Sequence, residues 1–119
     1  MSLRPNPFKL SVVVPCYNEG NHLQEFITTL KSAITYITKN YEIILINDGS
    51  KDNTRVNAVE LVATGNIRYL EFSRNFGKEA ALMAGIDHAT GDATLLIDAD
   101  FQHPPRETAR NGRAMAVWL

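Results

Sequence analysis

Four short apolar runs decide what this chain can fold into: Leu10–Val14, Glu42–Asn47, Ile67–Phe72 and Leu95–Ile97. Each is rich in Val, Ile or Leu, has the length of a buried strand, and is bounded by turn-forming or polar residues such as Pro15, Asp48-Gly49-Ser50 and Gly91-Asp92. Between the first two runs, Leu23, Phe26, Ile27, Leu30, Ile34 and Ile37 recur at three- and four-residue steps. They share one stripe of an amphipathic helix that stops near Asn40. The second connection, Lys51 to Thr64, reads as a weaker helix started by Ser50 and Asn53, turning Val56, Val59 and Ala63 inward and ended by Gly65-Asn66. In the third, Asn75 is the expected cap, and Ala80, Ala81, Ala84 and Ala89 let a helix lie close to the sheet before Gly91 closes it. An order β-α-β-α-β-α-β with right-handed crossovers predicts the α/β class: a Rossmann-like parallel sheet with helices on both faces.

With 119 residues, the chain holds one domain. A net charge of -1 argues against nonspecific nucleic-acid binding. No apolar run approaches the roughly 18 to 20 residues that span a bilayer, and the first residues lack the apolar core of a signal peptide. The single cysteine, Cys16, excludes an internal disulfide and reads as a small buried filler. A cytoplasmic setting is the expectation.

The chemistry concentrates where the strands end. Leu95–Ile97 stops abruptly at Asp98-Ala99-Asp100-Phe101-Gln102, two carboxylates one residue apart followed by an amide. The carboxyl edge of a parallel sheet is where ligands bind. Asp98, Asp100 and Gln102 supply hard oxygen ligands suited to Mg2+ or Mn2+, and a cation offsets the repulsion of the acidic pair. The other strand ends bring Pro15-Cys-Tyr-Asn-Glu19, Ile46-Asn-Asp48-Gly-Ser50 and Arg74-Asn-Phe-Gly-Lys78 to the same edge. An aromatic ring and carboxylates suit a base and ribose, and a cationic segment at a helix start, with Lys78, suits phosphate. Neither Gly-x-Gly-x-x-Gly nor a Gly-Lys-Ser/Thr phosphate loop is present. His22, His88 and His103 form no site by spacing, and no residue is assigned a catalytic role.

Taken together, these loops resemble the inverting family 2 glycosyltransferases of GT-A fold, in the branch that uses polyprenyl phosphate, as the dolichol-phosphate sugar transferases do. The likeness runs over 10–105, with Arg74-Asn-Phe-Gly-Lys-Glu-Ala-Ala-Leu and Asp98-Ala-Asp-Phe-Gln-His-Pro-Pro as its most specific segments. The resemblance implies that Pro15, Tyr17, Glu19, Ile46 and Asp48 line the nucleotide pocket. It also implies that Asp98, Ala99, Asp100 and Gln102 hold the sugar-nucleotide diphosphate and its metal. The implied reaction passes a hexose from a UDP-sugar or GDP-mannose to a polyprenyl phosphate at the cytoplasmic face of the membrane, with the metal stabilising the leaving group.

The resemblance also implies a domain about twice this length, so residues 10–105 read as its nucleotide-sugar-binding half, 1–9 as an N-terminal extension and 106–119 as an atypical tail. Half a sheet leaves a strand row uncovered, which predicts homo-oligomers. Two other functions stay open. A nucleotide-binding fragment without turnover fits the same loops. Asp-x-Asp after a buried strand also marks haloacid-dehalogenase-type phosphatases, where the first Asp is a nucleophile, although their loop usually continues with Thr or Val and not Phe101-Gln102.

Overall fold

The computed structural model describes residues 8–99 and the backbone of Met115–Trp118. Along the chain come β1 (Leu10–Cys16), α1 (Gly20–Ile37), β2 (Tyr41–Asn47), α2 (Thr54–Val62), β3 (Ile67–Glu71), α3 (Lys78–His88), β4 (Ala93–Ile97) and β5 (Met115–Trp118). The sheet order is β3-β2-β1-β4-β5. The first four strands are mutually parallel, with Val12 opposite both Ile43 and Leu95, while β5 runs antiparallel to β4. The α/β expectation therefore holds as a four-strand parallel sheet flanked by helices, with one antiparallel strand added.

Side chains alternate across a strand, so β1 feeds two cores. Val12 and Val14 face α1 and α2, meeting Leu23, Ile27, Leu30, Ile34, Ala58 and Leu61. Val13 faces the other way and joins Ile44, Ile46 and Ala81 beneath α3. A fully buried aliphatic side chain contributes about 1.5 to 3 kcal/mol on leaving water, and the central strands hold a double row of them. Helix α3 lies close to the sheet through Gly85, where a Cβ would come within 2.3 Å of Val13 Cγ1 and 2.8 Å of Ile46 Cδ1.

Several local expectations change. Strand β1 is not stopped by Pro15 but continues to Cys16, paired with Asn47. In a parallel ladder a residue's N–H and C=O face the same neighbour, and successive residues alternate. The Cys16 carbonyl accepts from Asp48 N on the β2 side, at 2.9 Å, so Pro15 faces β4, whose ladder with β1 has already ended at Val13 opposite Leu96. The missing donor interrupts nothing there. Helix α2 turns Thr54, Ala58 and Leu61 inward, while Val56, Val59 and Ala63 are exposed. Its phase is fixed at the start, where the Thr54 hydroxyl accepts from Glu19 N at 2.9 Å, and Ala58 and Leu61 then join the core beneath α1. Ile37, placed on the α1 stripe, ends that helix 70% exposed. Asn75 does not cap α3; Gly77, at φ 106°, precedes the helix and Asn75 binds elsewhere. Within the expected tail, Met115–Trp118 is a strand.

The amino-terminal edge of the sheet is fastened by a buried carboxylate. Glu42 Oε2 accepts from Ser11 Oγ at 2.6 Å, Thr90 N at 2.8 Å and Thr90 Oγ1 at 2.9 Å, and Oε1 accepts from Arg68 Nη1 at 3.1 Å. Burial alone would push the Glu42 pKa up, but these four bonds outweigh it and hold the carboxyl at about 2. The opposite, carboxyl edge is left for chemistry.

Candidate functional site

Two loops at the carboxyl edge are stitched into one wall. After β1, Asn18 N donates to Ser50 Oγ at 2.8 Å, and Lys51 N returns a bond to Asn18 Oδ1 at 2.8 Å. Asp52 joins the starts of two helices, accepting from Thr54 N at 2.9 Å, Thr54 Oγ1 at 2.5 Å and Gly20 N at 3.1 Å. Burial opposes ionisation of Asp52, yet those donors lower its pKa. Glu19 is buried and its Oε1 lies 2.6 Å from His22 Nε2, so this histidine partners a neighbouring carboxylate.

The second wall is held by Asp48, only 4% exposed. Its Oδ1 accepts from Phe76 N at 2.8 Å, and its Oδ2 accepts from Gly77 N at 3.1 Å and Asn75 Nδ2 at 3.0 Å. The Asp48 carbonyl takes a further bond from Asn75 Nδ2 at 3.2 Å. Next to it, Gly49 has φ 73°, and a Cβ there would lie 2.2 Å from the Arg74 carbonyl carbon. Only glycine suits that conformation and that contact. Asp48 thus acts in the structure as the clasp of the loop leading into α3.

Between these walls opens a cleft of about 520 Å³. Tyr17, 41% exposed, stands on one side, and Arg74 and Asn75 stand on the other. The Phe76 ring carries the Arg74 guanidinium 4.9 Å from its centroid and meets Phe72 edge-on at 5.5 Å. The cleft's far end is made by Asn47, in a loop expected at this edge, and by Arg55 and Glu71, which the sequence did not single out. There Asn47 Nδ2 donates to Tyr69 Oη at 2.9 Å, Tyr69 Oη donates to Glu71 Oε1 at 2.7 Å, and Arg55 Nε meets the same oxygen at 3.2 Å. Burial first, then the Glu71 carboxylate, pushes the Tyr69 hydroxyl up to about 12, keeping it a donor. The position of Glu71 at a strand's carboxyl end was the available signal.

Of the other sequence-derived site residues, Pro15 is buried, and Ile46 is fully buried in the core under α3. Asp98 and Ala99 follow β4, with Ala99 buried. Asp98 Oδ2 forms an ion pair with Lys78 Nζ, which brings the start of α3 onto the β4 end. Asp100, Gln102 and His103 lie outside the described residues. Of the expected ligands only Asp98 has a described position, and among the described residues no group of three or more His, Cys, Asp or Glu could hold a metal ion. Cys16, buried at the end of β1, has its thiol pushed up to about 12, chiefly by burial and further by Glu19, Asp52 and Asp48.

This geometry coincides with a match of residues 11–110 to the model of glycosyl transferase family 2. The chain belongs to that family. It is 46% identical over 96 residues to CsbB of Bacillus subtilis, which bears a provisional glycosyltransferase name; the match covers 80% of this chain and 29% of CsbB. It is equally 46% identical over 98 residues to the uncharacterized glycosyltransferase sll0501 of Synechocystis, covering 82% of this chain and 31% of that protein. The chain therefore spans about a third of the length of these relatives. Among solved structures it resembles the mannosyltransferase PcManGT from Pyrobaculum calidifontis in complex with GDP-Man and Mn2+, with a TM-score of 0.71 and 26% identity over 92% of this chain and 32% of that one. Glucosyl-3-phosphoglycerate synthase from Mycobacterium tuberculosis, solved with Mn2+, UDP and phosphoglyceric acid, shares the fold at a TM-score of 0.62 and 24% identity, covering 78% of this chain and 33% of that one. Among the described residues of this family member, no helix is long and apolar enough to cross a membrane.

Proposed function

We propose that this chain is the donor-binding part of an inverting glycosyltransferase that moves a hexose from a UDP-sugar or GDP-mannose to a polyprenyl phosphate at the cytoplasmic face of a membrane. The observation that carries the donor reading is the cleft itself: in a family 2 chain, the carboxyl ends of β1, β2 and β3 enclose a space lined by Tyr17, Asn47, Gly49, Ser50, Arg74 and Asn75. An aromatic face suits a base, the Ser50 hydroxyl suits a ribose, and Arg74 suits an anion. Pro15, Glu19, Ile46 and Asp48 support that wall from behind. The GDP-Man in the PcManGT structure favours a nucleoside-diphosphate sugar as the ligand class.

Asp98, partly exposed after β4, is a hard oxygen donor of the kind Mg2+ or Mn2+ takes and would hold the ion together with Asp100 and Gln102. Such an ion, when bound, stabilises the charge on the departing nucleoside diphosphate. The polyprenyl acceptor rests on the resemblance of the segments that begin at Arg74 and Asp98.

Titration calorimetry with UDP and GDP, with Mn2+ or with EDTA, tests the donor reading: heat of binding in Mn2+ and its loss in EDTA are expected. Equal affinity in both media would remove the metal, and no binding in either would remove the function. Transfer of radiolabelled sugar to polyprenyl phosphate by a protein carrying this chain at the full length of its relatives tests the acceptor.

A further inference from the structure

The far end of the cleft presents a carboxylate that is held by one oxygen only. Glu71 closes β3, and both of its described bonds fall on Oε1, from Tyr69 Oη at 2.7 Å and Arg55 Nε at 3.2 Å. Tyr69 Oη is itself fixed by Asn47 Nδ2 at 2.9 Å, and Asn47 Oδ1 accepts from Ser50 N at 3.0 Å, so the chain of bonds runs back into the loop after β2. Arg55 follows Thr54 at the start of α2, where the Thr54 hydroxyl is tied to Glu19 N. Strands β2 and β3 and helix α2 thus orient this one side chain, and Oε2 takes no bond among the described residues. The other carboxylate of the lining, Asp52, has both oxygens engaged by Thr54 and Gly20.

We propose that Glu71 selects the base of the donor: its Oε2 accepts the ring N–H that uracil and guanine share, and so turns away cytosine and adenine. The proposal rests on the donor-site reading above. Uracil carries that N–H at N3 and guanine at N1, whereas cytosine N3 and adenine N1 offer a lone pair at the corresponding ring position. A carboxylate only accepts, so a lone pair set against it is repelled and both acceptors go unpaired. The rest of the lining lacks this power of choice. The Tyr17 ring gives a face on which any base stacks, and the Ser50 hydroxyl and Arg74 suit the ribose and phosphate that all nucleotides have in common. Selection through a repelled competitor needs an acceptor fixed in direction, which the bonds from Tyr69 and Arg55 supply.

Calorimetric titration of the full chain in Mg2+ with UDP, GDP, CDP and ADP reads the ranking without any need for turnover. UDP or GDP should bind about tenfold or more tightly than both CDP and ADP. In Glu71→Gln the preferred nucleotide should weaken by about tenfold, while its amino-base counterpart of the same ring size should gain, because glutamine can turn its NH2 towards the lone pair. A change that only loosened the cleft would weaken all of them alike. Equal affinity of the wild type for the four nucleotides, or a Glu71→Gln variant that leaves their ranking as it was, overturns the selection and leaves the donor site intact. Binding of none of the four by the wild type overturns the selection and the donor reading together.

Discussion

Replacing Glu42 by Gln should destabilise the fold strongly at neutral pH and much less in acid. Glu42 is 6% exposed at the amino-terminal edge, where its two oxygens accept from Ser11, Thr90 and Arg68. Its pKa of about 2 against an ordinary 4.5 measures how far these donors favour the ionised folded form. At about 1.4 kcal/mol per pKa unit, the carboxylate contributes about 3 kcal/mol. Because the folded pKa is the lower one, this contribution is complete above the unfolded-state pKa and drains away as pH falls from there towards about 2. Glutamine keeps the shape but points amide hydrogens at groups that already donate. Urea unfolding followed by circular dichroism should show a gap of about 3 kcal/mol between wild type and Glu42→Gln at pH 7, reduced by roughly half at pH 3. A gap that stays constant between those pH values, or is absent at pH 7, would refute the account of this network.

Gly85→Ala places a Cβ 2.3 Å from Val13 Cγ1, and the forced displacement of α3 should cost about 1 to 3 kcal/mol, seen as a lower Tm. Cys16, with its thiol at about 12, should react with Ellman's reagent at pH 8 only as the protein unfolds; rapid labelling of the native chain would place it at the surface. Asp48→Ala should free the Phe76 and Gly77 amides to exchange with solvent and weaken nucleoside binding by about 1.5 to 3 kcal/mol. Faster exchange with an unchanged nucleoside Kd would confine Asp48 to holding the loop.

Much of the architecture was legible because it depends on local pattern. Runs such as Ile43–Ile46 admit no exposed face, and the stripe from Leu23 to Ile34 admits only a helix. The errors arose where a long-range contact overrode that pattern. In α2 the valines suggested an inward face, but the Thr54 hydroxyl, bound to Glu19 N from 35 residues away, sets the helix phase and leaves Val56 and Val59 outside. Pro15 looked like a strand end because the side of the strand it faces is invisible until the sheet order is known. Ser11, Glu42 and Thr90 could not be linked from sequence, lying 31 and 48 residues apart. At the carboxyl edge, Tyr17 and Arg74, singled out from their positions at strand ends, line the cleft, while Asp48, Lys78 and Asp98 lie at the same edge outside its lining. The Arg55–Glu71 pair was not singled out, because Arg55 on its own looks like any solvated helix residue.

The central claim is that the cleft at the carboxyl edge receives a nucleoside diphosphate. Its most direct test is a 1H–15N correlation spectrum of the labelled chain during titration with UDP and with GDP in Mg2+. The account predicts that one of the two shifts the amides of Tyr17, Gly49, Ser50, Arg74 and Asn75 in a saturable way, while those of Ser11, Glu42 and Thr90 at the opposite edge stay in place. Saturable shifts confined to residues away from the cleft, or no shifts with either nucleotide, would contradict it.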